Sequence, residues 1–129
     1  VEKKQSITEK EKDAIFDELL DAAINEVLRE VIGDKGAKTV YYFAKNAYDL
    51  EKEDVVKNIQ TFQVLLNDLF KVGAVLMEQK IMERLYSKVS AYHKNILLDC
   101  KNFEEFDFIT YIVGLRVAFK KEQLYRNTV

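Results

Sequence analysis

Apolar residues recur along the first third of the chain as Ile15/Phe16, Leu19/Leu20, Ala23/Ile24, Val27/Leu28 and Val31/Ile32, with charged and polar residues between them. A repeat of four positions is the pattern of an amphipathic helix with a slowly drifting stripe, and it predicts a helix over residues 8–32. Its start is signalled twice, because Ser6-Ile7-Thr8-Glu9 and Thr8-Glu9-Lys10-Glu11 both have the S/T-x-x-E form of a capping box. Gly33 stands where a left-handed residue closes a helix, so Gly33-Asp34-Lys35-Gly36 reads as a short turn.

A second helix is expected over residues 35–47, where Ala37, Val40, Tyr41, Phe43, Ala44 and Ala47 share one face. Val40-Tyr41-Tyr42-Phe43 alone would suit a strand, but no alternation follows it. Leu50 to Val56 is charged and reads as a short helical turn. Asn58 is placed to cap a third helix over residues 59–70, with Ile59, Phe62, Leu65, Leu66, Leu69 and Phe70 at i, i+3, i+4 spacing. Gly73 interrupts. A fourth helix over residues 74–91 puts Met77, Ile81, Met82, Leu85, Tyr86 and Val89 on one side, so Lys71-Val72-Gly73 reads as a tight corner. Residues 92–101 form a connector with an apolar centre at Ile96-Leu97-Leu98. Asn102 with Glu105 then repeats the capping pattern before a last helix over residues 103–126, acidic in its first turns and carrying Lys120, Lys121 and Arg126 near its end, as the helix dipole favours.

Composition narrows the class. The chain has 129 residues, 48% of them hydrophobic and 33% charged, with no Pro. That is enough apolar material for one core, and helices must end on Gly and Asn. The expected organisation is an all-α bundle of about five helices with short connectors. Residues 1–7 read as a polar, disordered or tag-like start and residues 8–129 as a single helical domain. Val1 is not an initiator, which marks the chain as trimmed or part of something longer. The densest apolar stretch, Phe108 to Phe119, falls far short of the roughly 20 residues that span a bilayer, and no hydrophobic signal region opens the chain. A cytoplasmic protein is expected. The net charge of −2 weighs against nucleic acid. Charge is unevenly spread: residues 1–43 hold 7 basic and 10 acidic groups, residues 87–129 hold 7 and 5.

Candidate chemistry is sparse. The single Cys100 cannot form an internal disulfide or a Cys-based zinc site. Lys101 beside it would favour a thiolate, but Leu97 and Leu98 favour an inert buried thiol. His93 has no Ser, Cys or acidic partner at a known spacing and reads as a plain surface histidine. Carboxylates pair as Asp13/Asp17, Asp17/Asp21, Glu26/Glu30 and Glu104/Glu105. Without a Glu-x-x-His unit they do not make a di-metal bundle, and they read as solvated helix faces. Gly33 to Lys38 fits neither phosphate-loop pattern. No catalytic, cofactor-binding or metal-ligating set is assigned, and no cofactor is expected.

The aromatic content is the positive feature: 8 Phe and 7 Tyr with no Trp. Phe108 to Phe119 is apolar on nearly every face, and such a helix is either central or shared with a partner. A chain of this size has limited capacity to surround one helix, and Gly114-x-x-x-Ala118 allows close approach. Self-association is therefore expected through Phe108, Tyr111, Ile112, Leu115 and Phe119, giving a homo-oligomer.

Leu19-Leu20-Asp21-Ala22, Lys38-Thr39-Val40-Tyr41-Tyr42-Phe43 and Leu50-Glu51-Lys52-Glu53-Asp54-Val55 are followed by Phe62-x-x-Leu65-Leu66-x-Asp68-Leu69-Phe70-x-x-Gly73-Ala74. Leu76-Met77-Glu78, Ile81-Met82-Glu83-Arg84-Leu85-Tyr86 and Phe106-x-Phe108-x-x-Tyr111 come next. In this order, over residues 19–113, the segments resemble the Nitrosopumilus output domain family, small archaeal modules found alone or attached to signalling proteins. The family usually has a proline between Val55 and Ile59, where this chain has Val56-Lys57. The resemblance implies a non-catalytic helical output or interaction module. A non-enzymatic module working through protein–protein contacts is thus the leading expectation. Two alternatives stand beside it. One is a nucleic-acid-associated regulator using residues 59–70 and 74–91 as a helix-turn-helix, although Glu78, Lys80, Glu83, Arg84 and Lys88 make a mixed face. The other is a bundle holding an apolar small ligand near Met77 and Met82.

Overall fold

In a computed structural model of the chain, residues 3–92, 107–122 and 124–128 are described. Among them are four α-helices, three 3-10 turns and one two-stranded antiparallel ribbon: β1 (Lys3–Ser6), α1 (Glu9–Tyr48), α2 (Ile59–Phe70), α3 (Ala74–Tyr92), α4 (Phe108–Lys121) and β2 (Tyr125–Thr128). The all-α expectation holds for the body of the chain. The count is lower than about five, because the two helices expected on either side of Gly33 follow one another directly across a kink at that residue and are numbered together as α1.

The cause lies at Gly33, whose backbone (φ 78°, ψ 172°) is not helical. The left-handed residue is there, as expected, but the chain re-enters a helix at once instead of turning away. A straight helix of this length would run about 60 Å, whereas a compact chain of this size has a radius of gyration of about 14 Å. The bend also rotates the buried stripe. Before it, Phe16, Leu20, Ala23, Ile24, Val27 and Leu28 are buried. A straight continuation would bring in Val31, Lys35 and Lys38, all exposed; the buried residues after the bend are Ala37, Val40 and Ala44. Both halves thus face one hydrophobic cluster. A side chain at Gly33 would meet no neighbour, so the position demands glycine for its conformation alone.

Local caps set the ends. Of the two candidate capping boxes, Thr8 with Glu11 forms: Thr8 Oγ1 accepts from the Glu11 N–H at 3.2 Å and Glu11 Oε1 accepts from the Thr8 N–H at 3.2 Å. Ser6 is occupied in β1. At the other end Asp49 is left-handed (φ 52°) and the Leu50 N–H reaches the Ala44 carbonyl at 3.0 Å. Two short 3-10 turns, Lys52–Asp54 and Val56–Asn58, lead into α2. Asn58 stands at the N-cap of α2, but its amide donates back to the Asp54 carbonyl at 2.9 Å and caps nothing. The α2–α3 corner is as tight as expected, through the 3-10 turn Lys71–Gly73. Lys71, not Gly73, carries the positive φ of 53°.

The start of the last helix moves. Asp107 caps α4, accepting from the N–H groups of Ile109 (3.2 Å) and Thr110 (3.3 Å), and hydrogen bonds from Thr110 hold its carboxyl below the usual range. The helix ends at Lys121, so Arg126 lies in β2 rather than in the last turn. The expected connector 92–101 with His93 and Cys100, the Asn102 cap and Glu104/Glu105 fall almost wholly outside the described residues, only Tyr92 being inside as the end of α3. Within the start that reads as polar, disordered or tag-like, Lys3–Ser6 pairs with Tyr125–Thr128, Lys3 opposite Thr128 and Ser6 opposite Tyr125, and the Ile7 N–H extends the ladder to the Leu124 carbonyl at 2.8 Å. Polar residues alternate poorly with apolar ones in both strands, so the ribbon depends on its own backbone hydrogen bonds.

Lys71 pays backbone strain for a turn that glycine adopts freely. Lys71→Gly should raise stability by about 1 kcal/mol, read as an upward shift of the urea midpoint with unchanged slope.

Candidate functional site

The carboxylate pairs are the first candidates, and the structure gives them partners. Asp13 and Asp17, four apart on α1, face Arg116 and Lys120, four apart on α4. Arg116 spans both acids, with Nη1 at 3.2 Å from Asp13 Oδ1 and Nη2 at 2.6 Å from Asp17 Oδ1, while Lys120 Nζ lies 2.8 Å from Asp13 Oδ2. Further along the same half of α1, before the bend, the arrangement repeats against α3. Arg84 bridges Glu26 (3.1 Å) and Glu30 (2.5 Å), and Lys88 reaches Glu26 at 2.6 Å. Each clamp joins an i, i+4 pair of acids to an i, i+4 pair of bases. The Lys120 ammonium holds the Asp13 carboxyl below the ordinary range, and Lys88 does the same for Glu26. These faces were expected to be merely solvated. They instead fasten α4 and α3 to α1, and the acidic first third and basic last third of the chain are in part the two sides of one clamp.

Lys12 supports the same junction. It is 7% exposed, and its ammonium donates to the Lys120 carbonyl at 2.9 Å, a cation on the C-terminal end of α4. The Arg116 guanidinium also lies 4.5 Å from the centre of the Phe16 ring. The charge of these helices is spent on structure. Among the described residues no group of three His, Cys, Asp or Glu could hold a metal ion.

The expected self-association residues need correction. Phe108, Tyr111, Ile112, Leu115 and Phe119 are all 4% exposed or less. They sit in the core, where Phe119 meets Phe16 at 5.9 Å and Tyr92 edge-on at 5.8 Å between ring centres. The bent α1 and α3 cover this face of α4 within one chain, while Val113 and Val117 on its other face are 54% and 47% exposed. Its outward stripe is Thr110, Val113, Gly114 and Val117. Met77 and Met82 are likewise core residues, 3% and 2% exposed.

Sequence reading missed a different surface. Leu69, Val72, Val75 and Leu76 were assigned to packing or passed over, yet they are 37%, 90%, 54% and 64% exposed. All four lie within eight residues at the α2–α3 corner. Beside them runs an open apolar trench of about 320 Å³. Ile32, Gly36, Val40 and Phe43 of α1 form one wall, Leu69 and Phe70 of α2 the other, with Thr39 at the rim. The Thr39 hydroxyl is turned back onto the Lys35 carbonyl at 2.9 Å, so the trench has no side-chain hydroxyl in need of a partner. Two larger clefts are lined by charges of both signs, one by Glu9, Lys12, Lys120 and Lys121 and one by Asp17, Asp21, Lys52 and Glu53.

One buried polar atom is left over. The Tyr41 hydroxyl has no hydrogen-bond partner among the described residues, and burial pushes its pKa up to about 12, with Asp21 adding to the effect. Its ring carries the Lys52 ammonium 4.9 Å above its centre.

No protein-family model, no curated protein and no solved structure matches this chain. Among the described residues no helix is long and apolar enough to cross a membrane.

Asp13 and Glu26 are depressed below their ordinary values of 3.8 and 4.5, so the stability they contribute is present above those values and lost as pH falls through the lowered ones. Urea midpoints should therefore drop on acidification below the ordinary carboxylate range. The double variant Asp13→Asn, Glu26→Gln should start lower at neutral pH and change less with acid. Tyr41→Phe removes an unsatisfied hydroxyl while keeping the ring, and should leave stability unchanged or raise it by about 1 kcal/mol in thermal unfolding.

Proposed function

We propose that this chain is a non-enzymatic helical interaction module of the output type, acting in the cytoplasm by presenting the α2–α3 corner to a protein partner. The observation that carries this reading is the gathering of four uncovered apolar side chains, Leu69, Val72, Val75 and Leu76, within eight residues at that corner, while Val31, Tyr42, Val64, Tyr92, Val113 and Val117 are exposed elsewhere. Exposed apolar groups gathered next to a concave trench are the pattern of an interaction surface, whereas single scattered ones need no explanation. The resemblance to the Nitrosopumilus output domain family points the same way. A binding role also fits the disposition of charge, since the cations and acids that a catalytic reading would use are held in interhelical clamps.

A nucleic-acid role is weaker. In α3, the helix that would enter a groove, Arg84 and Lys88 are engaged with Glu26 and Glu30, leaving Lys80 beside Glu78 and Glu83. Too little basic surface remains to track phosphates.

The test is site-specific photo-crosslinking in the native cell. A crosslinker at Val72 should give a discrete protein adduct, and one at the equally solvent-facing Glu18 should give none. Adducts at neither position, or at both alike, would remove the reading.

A further inference from the structure

Helix α4 turns one face to the core and another outward. On the outward face the exposed positions are Asp107, Thr110, Gly114, Val117 and Lys121, in steps of three and four, with Val113 beside them. That is heptad spacing, the spacing of a seam between two helices. Asp107 is the N-cap and Lys121 the last residue, so the two charges of the seam stand at its two ends. The exposed positions between them carry none. The other cations of the helix, Arg116 and Lys120, point to α1 and are held by Asp13 and Asp17. Gly114 stands at the middle of the seam, seven positions from either end. Its backbone is not left-handed, and a Cβ there would meet nothing within 4 Å. The fold of the single chain therefore gives glycine no advantage at this position, where it is a poor helix former. What glycine permits is the close approach of another backbone, and the half-exposed Val113 and Val117 give that approach apolar contacts.

Charge selects the occupant. At the N-terminal end the neighbouring charge is acidic as well, since Glu78 of α3 lies close enough for Asp107 to raise its pKa. At the C-terminal end Lys121 shares a cleft with Glu9, Lys12 and Lys120. Glu9 lies 3.5 Å from Lys12 and 3.8 Å from Lys120, and Lys120 also reaches Asp13 at 2.8 Å. Lys121 makes no ion pair among the described residues. Glu122, the C-cap just beyond it, is half-buried. The seam is thus acidic at one end, basic at the other and uncharged between. A parallel second copy would set Asp107 against Asp107 and Lys121 against Lys121. An antiparallel copy turned about Gly114 sets each Asp107 opposite the partner's Lys121, and each Thr110 opposite the partner's Val117, so every contact is made twice.

We infer that two copies of this chain associate through the outward face of α4, antiparallel, with their Gly114 backbones at the crossing and an Asp107–Lys121 ion pair at each end. The seam uses none of the residues of the α2–α3 corner, so the two surfaces stand or fall separately. A helix about 21 Å long offers well under the roughly 800 Å² that each partner gives to a standard interface. The dimer is accordingly weak, with a Kd of about 10–100 µM.

Sedimentation equilibrium of the full chain from about 5 µM to about 1 mM tests it. A monomer–dimer equilibrium is expected, weaker at about 0.5 M salt. Val117→Glu and Lys121→Glu change only exposed side chains, and each should weaken the dimer at least about tenfold. Gly114→Ala is the sharper variant. At about 1 µM, where the chain is monomeric, it should raise the urea midpoint, because alanine is the better helix former and its methyl group has room. It should weaken the dimer about tenfold all the same, a combination that a folding defect cannot give. Orientation is read by disulfide formation in a Cys100→Ser background. Thr110→Cys with Val117→Cys should link two chains on oxidation, since the two positions are about 10 Å apart within one helix and cannot bridge there. Thr110→Cys alone should link none. A monomer throughout the range overturns the inference. So does a dimer that ignores Val117→Glu and Gly114→Ala, or one abolished by Leu76→Glu in their place. A crosslink from Thr110→Cys alone, or none from the pair, overturns the antiparallel arrangement and the inference with it.

Discussion

The packing of this chain turns on α1, a helix too long to be straight in so small a body. Two stretches of its apolar stripe, Phe16 to Leu28 and Ala37 to Ala44, have to reach one core, and only a break between them allows it. Gly33 supplies that break with a single left-handed residue, shifting the phase of the stripe as well as the direction of the axis. α3 and α4 then pack against the bent helix, with Phe119 against Phe16 at the centre. The trench opens beside the same bend, with Ile32 before it and Gly36, Val40 and Phe43 after it on one wall.

Hydrophobic burial is non-directional, and it leaves the sliding of one helix along another weakly specified. The two clamps supply direction. Arg116 and Lys120 fit Asp13 and Asp17 in one axial position, and Arg84 and Lys88 fit Glu26 and Glu30 in one position. Such half-exposed pairs contribute little individually to stability. Their geometric selectivity matters more here, because each bidentate arginine bridges two acids one turn apart and a shift of one turn would leave one of them alone.

These clamps also separate the surface into two kinds. Charges on α1, α3 and α4 are largely met by opposite charges within the chain. At the α2–α3 corner, exposed Leu and Val stand together, with Lys71 and Asp68 beside them. The functional reading follows from the apolar side chains left uncovered at that corner.

Periodicity by itself determined the helical class, the spans of α2 and α3, the tight corner between them and the Thr8 cap, because these depend on contacts within a few residues of one another. It also found a left-handed residue at Gly33, but a glycine that ends a helix and one that bends it are locally alike; the difference is where residues 37–44 find a core, which is a long-range matter. The apolar run from Phe108 to Phe119 had the same ambiguity. A helix greasy on all sides is either enclosed or shared, and only the position of the bent α1 and α3 shows which face is buried, Phe108, Tyr111, Ile112, Leu115 and Phe119, and which stays outside, Val113 and Val117. The acids at Asp13, Asp17, Glu26 and Glu30 were legible as ridges, yet their partners lie 54 to 107 positions away in the chain. The pairing of β1 with β2 joins the two ends of the chain, with almost no apolar alternation to announce it. Tertiary structure alone decided which apolar residues stayed outside: burial of Leu69, Val72, Val75 and Leu76 needs a neighbour on the outer side of the corner, and the chain provides none there among its described residues.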